Sequence, residues 1–459
     1  MLTSSSFNFT VRRQMPELVR PARPTPLETK PLSDIDDQEN LRHHTHIIHF
    51  YKRRIEFSND DEKEENDPLK VIKTALAETL VFYYPFAGRL REGSGGKLMV
   101  ECTGEGVMFI EADADVTLDG FGEEIRPPFP CMKELIFNVP GTDGILHSPL
   151  LLIQVTRLQC GGFIFGLRLN HTMSDACGLV QFMTAVSEIA RGASTPSILP
   201  VWSRELLQYP RNPPKLTNVQ DDEHNSPGSD SEATQISVVD GNDKIMVCRS
   251  FFFGPSEIST LRTFLPQHIH SQYSTFEVLT ACLWRCRTIA LEIDPNERVG
   301  ILFCVNARSK FDPPLPKGYY GNVLAVPLAL TTAGELMKNS LGYAAELVMK
   351  AKLEVTEEYM KYDASLLVMK GRPIPNISSP ILVTDLRRIG LDEVDFGWGK
   401  PDYAGIALGN DIGEMNGVHC SYVPTKNKQG EKGVLVPVCL PRFAMEKFVQ
   451  LFEMMGEGN

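Results

Sequence analysis

One histidine and one aspartate, His171 and Asp175, stand four residues apart in the stretch RLNHTMSDACGLV, Arg168 to Val180. An imidazole titrates near neutral pH, so a histidine facing a cleft can take a proton from an alcohol. Positioned general-base help of this kind is worth about 10²–10⁴-fold in rate. Asp175 has two possible uses. It can bind the second ring nitrogen and fix the tautomer, as in a catalytic triad. It can instead turn away and pair with an arginine, holding the loop in shape. A chance His-x-x-x-Asp arises in roughly half of chains with this histidine and aspartate content, so the pentapeptide needs company.

Two further stretches supply it. DFGWG, Asp395 to Gly399, combines two glycines with an indole, which predicts a tight turn packed against something large; a purely structural corner would account for it. YYGN, Tyr319 to Asn322, follows VNARSKFDPPLPKG and reads as a loop shaped by prolines. Nothing matches a serine-hydrolase GxSxG elbow, a P-loop or a dinucleotide fingerprint. The group HHTHIIH (His43, His44, His46, His49) runs on into the apolar IIHFY, which predicts a strand. No carboxylate or cysteine sits beside it at ligand spacing, so no metal is expected. The ten cysteines form no CxxC pair and are expected to be buried reduced thiols.

The elements that must position these residues follow from periodicity. In FIFGLRLN, Phe163, Phe165, Leu167 and Leu169 alternate onto one strand face. In GLVQFMTAVSEIARG, Leu179, Phe182, Met183, Val186 and Ile189 form a helical stripe, with Gly192 as a stop. His171 therefore sits where a strand gives way to a helix. PLLLIQVTRLQ and FIFGLRLN, joined at CGG, predict a hairpin, and KLMVEC with VMFIEA predict another. LKVIKTALAETLVFYYP predicts a helix stopped by Pro85, and STFEVLTACLWRCRTIALEI a second one. RVGILFCVNAR and GVLVPVCLP are strand-like.

A chain of 459 residues exceeds one compact core, so two α/β domains of roughly 200 residues are expected. Ser58–Pro68 is a short acidic loop. Asn218–Lys244 is longer, acidic and poor in large apolar residues, and predicts the inter-domain linker. The division expected is 1–215, a flexible crossover linker 216–246, and 247–459, the last carrying DFGWG. The net charge of −12 argues against a nucleic-acid partner. No run of 18 apolar residues and no signal-peptide core is present, which predicts a cytoplasmic protein without a membrane span.

HxxxD followed by DFGWG more than 200 residues later resembles the BAHD plant acyl-CoA-dependent acyltransferases. The likeness covers the whole chain and includes LSDIDDQ (Leu32–Gln38), YYPFAGRLRE (Tyr83–Glu92), STFEVLTACLWRCRT (Ser274–Thr288), VNARS (Val305–Ser309) and GYYGN (Gly318–Asn322). The wording around both motifs is most similar to the ester-forming alcohol acyltransferase branch. The resemblance implies an α/β fold of two chloramphenicol-acetyltransferase-like domains, each a mixed sheet with flanking helices, forming a channel at their interface. It implies a monomer with acyl-CoA as co-substrate, an alcohol as acceptor, and no permanently bound cofactor. An amine acceptor, or a silent member acting as a binding protein, are the alternatives.

By the same resemblance His171 is the general base in a direct transfer without an acyl-enzyme, and Asp175 and Asp395 are grouped with it as residues activity requires. Asp175 is expected to point away from the ring and pair with Arg308. Asp395, Gly397 and Trp398 are expected to give structural support. Asn322 and Thr384 match positions near the reacting centre, and Ser274 and Thr275 match a region lining the CoA side. The chain departs from the family in two places. Ala176 follows Asp175 where many members have glycine, with Gly178 two residues later, and Leu386 stands where hydroxycinnamoyl transferases have tryptophan. The second departure disfavours shikimate- or quinate-type acceptors.

Overall fold

The computed structural model describes residues 9–53, 67–209, 245–266, 272–370, 377–409 and 417–457. Most of Ser58–Pro68 and the linker from residue 216 to 244 lie outside them. The chain forms two compact units: one of residues 1–210, 313–323 and 388–413, the other of 211–312, 324–387 and 414–459. This corrects the expected continuous halves. DFGWG belongs to the first unit, because the strand that follows it, Tyr403–Ile406, pairs antiparallel with His44–Tyr51. A strand late in the chain is recruited by an open sheet edge, and no sequence period records which sheet offers that edge.

The first unit is built on a seven-stranded mixed sheet. Val107–Ala114 runs parallel to Leu151–Leu158, and Leu151–Leu158, Phe163–Asn170, His44–Tyr51 and Tyr403–Ile406 follow as antiparallel neighbours. The hairpin expected at CGG forms, with Gly161 at φ 80°. The other expected hairpin does not. Leu98–Glu101 joins a separate three-stranded sheet with Thr29–Pro31 and Arg89–Glu92, while Val107–Ala114 enters the main sheet. Gly106 marks the parting: at φ 104° it passes so close to Val19 that a Cβ would stand 2.3 Å from its carbonyl oxygen. Helix Pro68–Phe82, capped by Asp67, packs against helix Ala176–Ala190.

The second unit carries a six-stranded sheet containing Met246–Phe253, Lys432–Pro441, His419–Lys426, Ser378–Asp385, Arg298–Phe303 and Leu328–Thr332. Helix Thr275–Ala290 lies in its core, with Leu279, Leu283 and Trp284 in one buried cluster that also holds Ile301, Phe448 and Phe452. Cys248 and Cys439 face one another across two strands of this sheet and are joined as a disulfide. The expectation of reduced thiols therefore fails for this pair, since cross-strand register lies beyond reach of a spacing rule. Each unit thus has the mixed sheet and flanking helices of the expected fold class.

Candidate active site

The strand leading to His171 is buried over all eight residues, Phe163–Asn170. Single-face alternation was legible, but the second face is also covered. Gly166 lies under Leu135, whose carbonyl oxygen would be 2.7 Å from an added Cβ. Arg168, also buried, donates to the Thr142 carbonyl at 2.6 Å, to its hydroxyl at 2.7 Å, and to Asn138. Burying a guanidinium costs stability unless its donors find partners, and these contacts engage both terminal nitrogens.

At the strand end, the Asn170 amide oxygen accepts from Thr172 N at 3.2 Å and Thr172 Oγ1 at 2.8 Å, opening a short 3-10 turn over His171–Met173. His171 N donates to the His43 carbonyl at 2.9 Å, and the two rings lie 5.3 Å apart. The His171 ring is half-buried, and its Nδ1 is buried without a hydrogen-bond partner among the described residues. That leaves Nε2 as the nitrogen able to meet a substrate. Burial lowers the pKa of His171; its own backbone carbonyl, the Asp175 carboxylate, Asn322 and Asp36 act in the opposite direction. A ring so placed is neutral at pH 7 and able to accept a proton.

Asp175 is the N-cap of helix Ala176–Ala190. Its Oδ1 accepts from Gly178 N at 3.0 Å and its Oδ2 from Val323 N at 3.0 Å. A cap of this type is worth about 1 kcal/mol. The second bond stitches the helix start to the GYYGN loop. That loop approaches closely, because a Cβ on Gly178 would stand 2.0 Å from the Tyr320 carbonyl oxygen, so glycine is needed two residues after Ala176. Asn322, fully buried, donates Nδ2 to the His171 carbonyl at 2.9 Å. His171, Asp175 and Asn322, spread over 151 positions, therefore meet at one turn.

DFGWG lies elsewhere. Asp395 Oδ1 accepts from Gly397 N at 2.7 Å and Gly399 N at 2.9 Å, with Gly397 at φ 112° and Gly399 at φ 88°. Trp398 packs edge-on against Phe163 at 5.5 Å, and Phe396 against Phe165 at 5.1 Å and Tyr51 at 5.7 Å. Phe163 begins the strand whose end precedes His171, so Trp398 packs at the opposite end of a strand about 23 Å long at roughly 3.3 Å per residue. Arg191, at the C-cap of helix Ala176–Ala190, donates to the Asp395 carbonyl. The loop thus ties the far ends of the same strand and helix whose near ends frame His171.

The remaining expected residues lie in the second unit. Ser274 caps helix Thr275–Ala290 in a capping box with Glu277. Thr384 Oγ1 lies 3.6 Å from Cys304 Sγ. Arg308 opens a 3-10 turn, its backbone N donating to Asn306 Oδ1 at 3.1 Å. Among the described residues, no group of three or more histidines, cysteines and carboxylates is placed to hold a metal. Among the described residues no helix is long and apolar enough to cross a membrane. Asp36 and Arg204, which neither residue type nor spacing singles out, are both fully buried and ion-paired at 3.3 Å. LSDIDDQ was legible as a motif, but its three aspartates look alike until the fold buries Asp34 beside Lys97 and Asp36, fully, beside Arg204.

The sequence profile of the Transferase family matches residues 9–455. The chain belongs to this family, the BAHD acyltransferases. It is 60% identical over 456 residues to the benzyl alcohol O-benzoyltransferase of Petunia hybrida, covering 99% of this chain and 96% of that protein. It is 51% identical over 449 residues to alcohol acyl transferase 1 allele RGb of Malus domestica, covering 97% and 95%. Among solved structures, vinorine synthase matches with a TM-score of 0.69 at 21% identity, over 97% of this chain and 98% of that one. The BAHD fold is therefore shared well beyond the range of close sequence likeness.

Proposed function

We propose that this BAHD member transfers an acyl group from acyl-CoA to the hydroxyl of a small alcohol, with benzoyl- or acetyl-CoA as donor and benzyl or short aliphatic alcohols as acceptors. The observation that carries the reading is His171: a half-buried, neutral imidazole at a strand end, in a chain alike over its full length to an O-benzoyltransferase. His171 takes the hydroxyl proton as the alcohol oxygen attacks the thioester carbon. The tetrahedral oxyanion collapses, the carbon–sulfur bond breaks, and the proton passes to the CoA thiolate. A good hydrogen-bond donor to that oxyanion contributes about 2.7–4 kcal/mol.

Asp175 and Asp395 support this chemistry by shape, Asp175 through its cap and the Arg308 partner the resemblance assigns to it, Asp395 through its turn. Ser274, Thr275 and Thr384 are proposed on the CoA and acyl side, and the enzyme is proposed to act as a cytoplasmic monomer. The test is a panel of acyl-CoA donors against benzyl alcohol, butanol, methanol and an amine. Ester formation that vanishes in His171→Ala supports the reading. Faster amide than ester formation, or ester formation unaffected by His171→Ala, overturns it, and a wild-type enzyme inert on every pair points to a binding protein.

A further inference from the structure

Two carbonyls of the turn carrying His171 are held by side chains from distant parts of the chain. The His171 carbonyl accepts from Asn322 Nδ2 at 2.9 Å, and the Met173 carbonyl from Arg204 Nη2 at 2.9 Å. Both holders converge on one carboxylate. Asp36 Oδ1 accepts from Asn322 N and Nδ2, each at 2.8 Å, and Asp36 Oδ2 lies 3.3 Å from Arg204 Nε. Ser33 Oγ adds a bond of 2.7 Å to Oδ2. Asp36, Arg204 and Asn322 are all fully buried. Arg204 stands against the rings of Trp202, Tyr319 and Tyr320, and Gly321 makes room for it, since a Cβ there would lie 1.1 Å from Nη1.

We propose that Asp36 is a positioning residue for His171, acting through Asn322 and Arg204. The inference rests on the reading of His171 as the base. A buried ion pair is a poor device for stability alone, because apolar residues of similar volume do as well or better. What it supplies is direction: two hydrogen bonds fix where the carbonyls of one turn lie, and with them the ring. An error of 1 Å in such a placement costs on the order of 10²-fold in rate. Asn322 has both amide protons engaged, on the Asp36 carboxylate and on the His171 carbonyl.

Within the first unit the charged and titratable groups around His171 are His43, Asp175 and Asp36, with Arg204 behind the Met173 carbonyl. Asp36 and Asn322 both favour the protonated ring, against burial. The experiment compares Asp36→Asn and Asn322→Ala in the full chain, with His171→Ala as control, reading kcat and KM for ester formation across pH. The expected result is a kcat lower by about 100-fold, KM values within about twofold, and an acid limb moved to lower pH in both variants. A folded Asn322→Ala protein with wild-type kcat and acid limb overturns the inference. So does a rise in KM alone, which would make Asn322 a substrate contact. Asn322→Ala keeps the ion pair, so it decides the matter if Asp36→Asn does not fold. Its own failure to fold would make the network structural and likewise overturn the inference. Activity surviving His171→Ala would instead sink the base assignment.

Discussion

The strand Phe163–Asn170 and the helix Ala176–Ala190 are held at their two ends by opposite chemistry. At the His171 end the fasteners are directional and polar: the Asp175 cap, Asn322 on one carbonyl and Arg204 on another, and Asp36 between them. At the far end they are mostly apolar, with Phe396 and Trp398 packed on Phe165, Phe163 and Tyr51, and one arginine on a carbonyl. Apolar area stabilises without specifying position finely, whereas hydrogen bonds at fixed angles specify position at modest net gain. The end that carries His171, the proposed base, has the directional set. The end that must only keep strand and helix together carries the aromatic set.

Substitutions at the two ends should therefore separate activity from stability. The largest effect is expected for His171→Ala, a fall in kcat of about 10²–10⁴-fold with an unchanged denaturation midpoint. Phe396→Ala, at a fully buried ring, should cost about 3–5 kcal/mol in chemical denaturation. The folded fraction should retain near-wild-type KM. A Phe396→Ala enzyme stable yet inactive would erase the contrast between the ends. Asp175→Asn puts an amide donor where one of two backbone N–H groups needs an acceptor, so a loss of about 1–3 kcal/mol should accompany lowered kcat. Both variants should be followed by thermal melts beside the kinetics.

The smallest effect is a pH dependence of stability. His49 lies fully buried beside Phe165, and burial lowers its pKa from 6.5 to about 3. Burial, and after it the Arg168 guanidinium, lowers His44 and His46 to about 4. The unfolded chain therefore binds more protons than the folded one below the ordinary histidine range. Stability is fully present above about pH 6.5 and falls as pH drops from there toward the folded values. At about pH 5.5 the loss from His49 is about 1 kcal/mol, and His49→Phe should flatten the acid limb of a denaturation-midpoint profile.

Much of this organisation is written locally. The strand before His171, the helix after it, the Gly161 hairpin and the proline-shaped GYYGN loop are set by alternation, helical spacing and turn residues within a dozen positions. His171 and Asp175 carry their types and spacing openly, and HxxxD with DFGWG was enough to place the family. The second hairpin was misread because TGEG signals a turn but not the sheet its two arms join. The disulfide was missed because Cys248 and Cys439 are brought opposite by register across 191 positions.

The sequence by itself determined the fold class and the family and singled out His171 as the candidate base, since these rest on periodicities and motifs short enough to read in line. Only the tertiary structure decided that DFGWG closes the first unit and that Asp175 serves the helix start and Val323. Only it showed that one aspartate of LSDIDDQ is buried with Arg204 and Asn322 beneath the His171 turn. The reason is physical: a carboxylate's role depends on its desolvation and its partners, and both arise only when segments hundreds of residues apart are packed together.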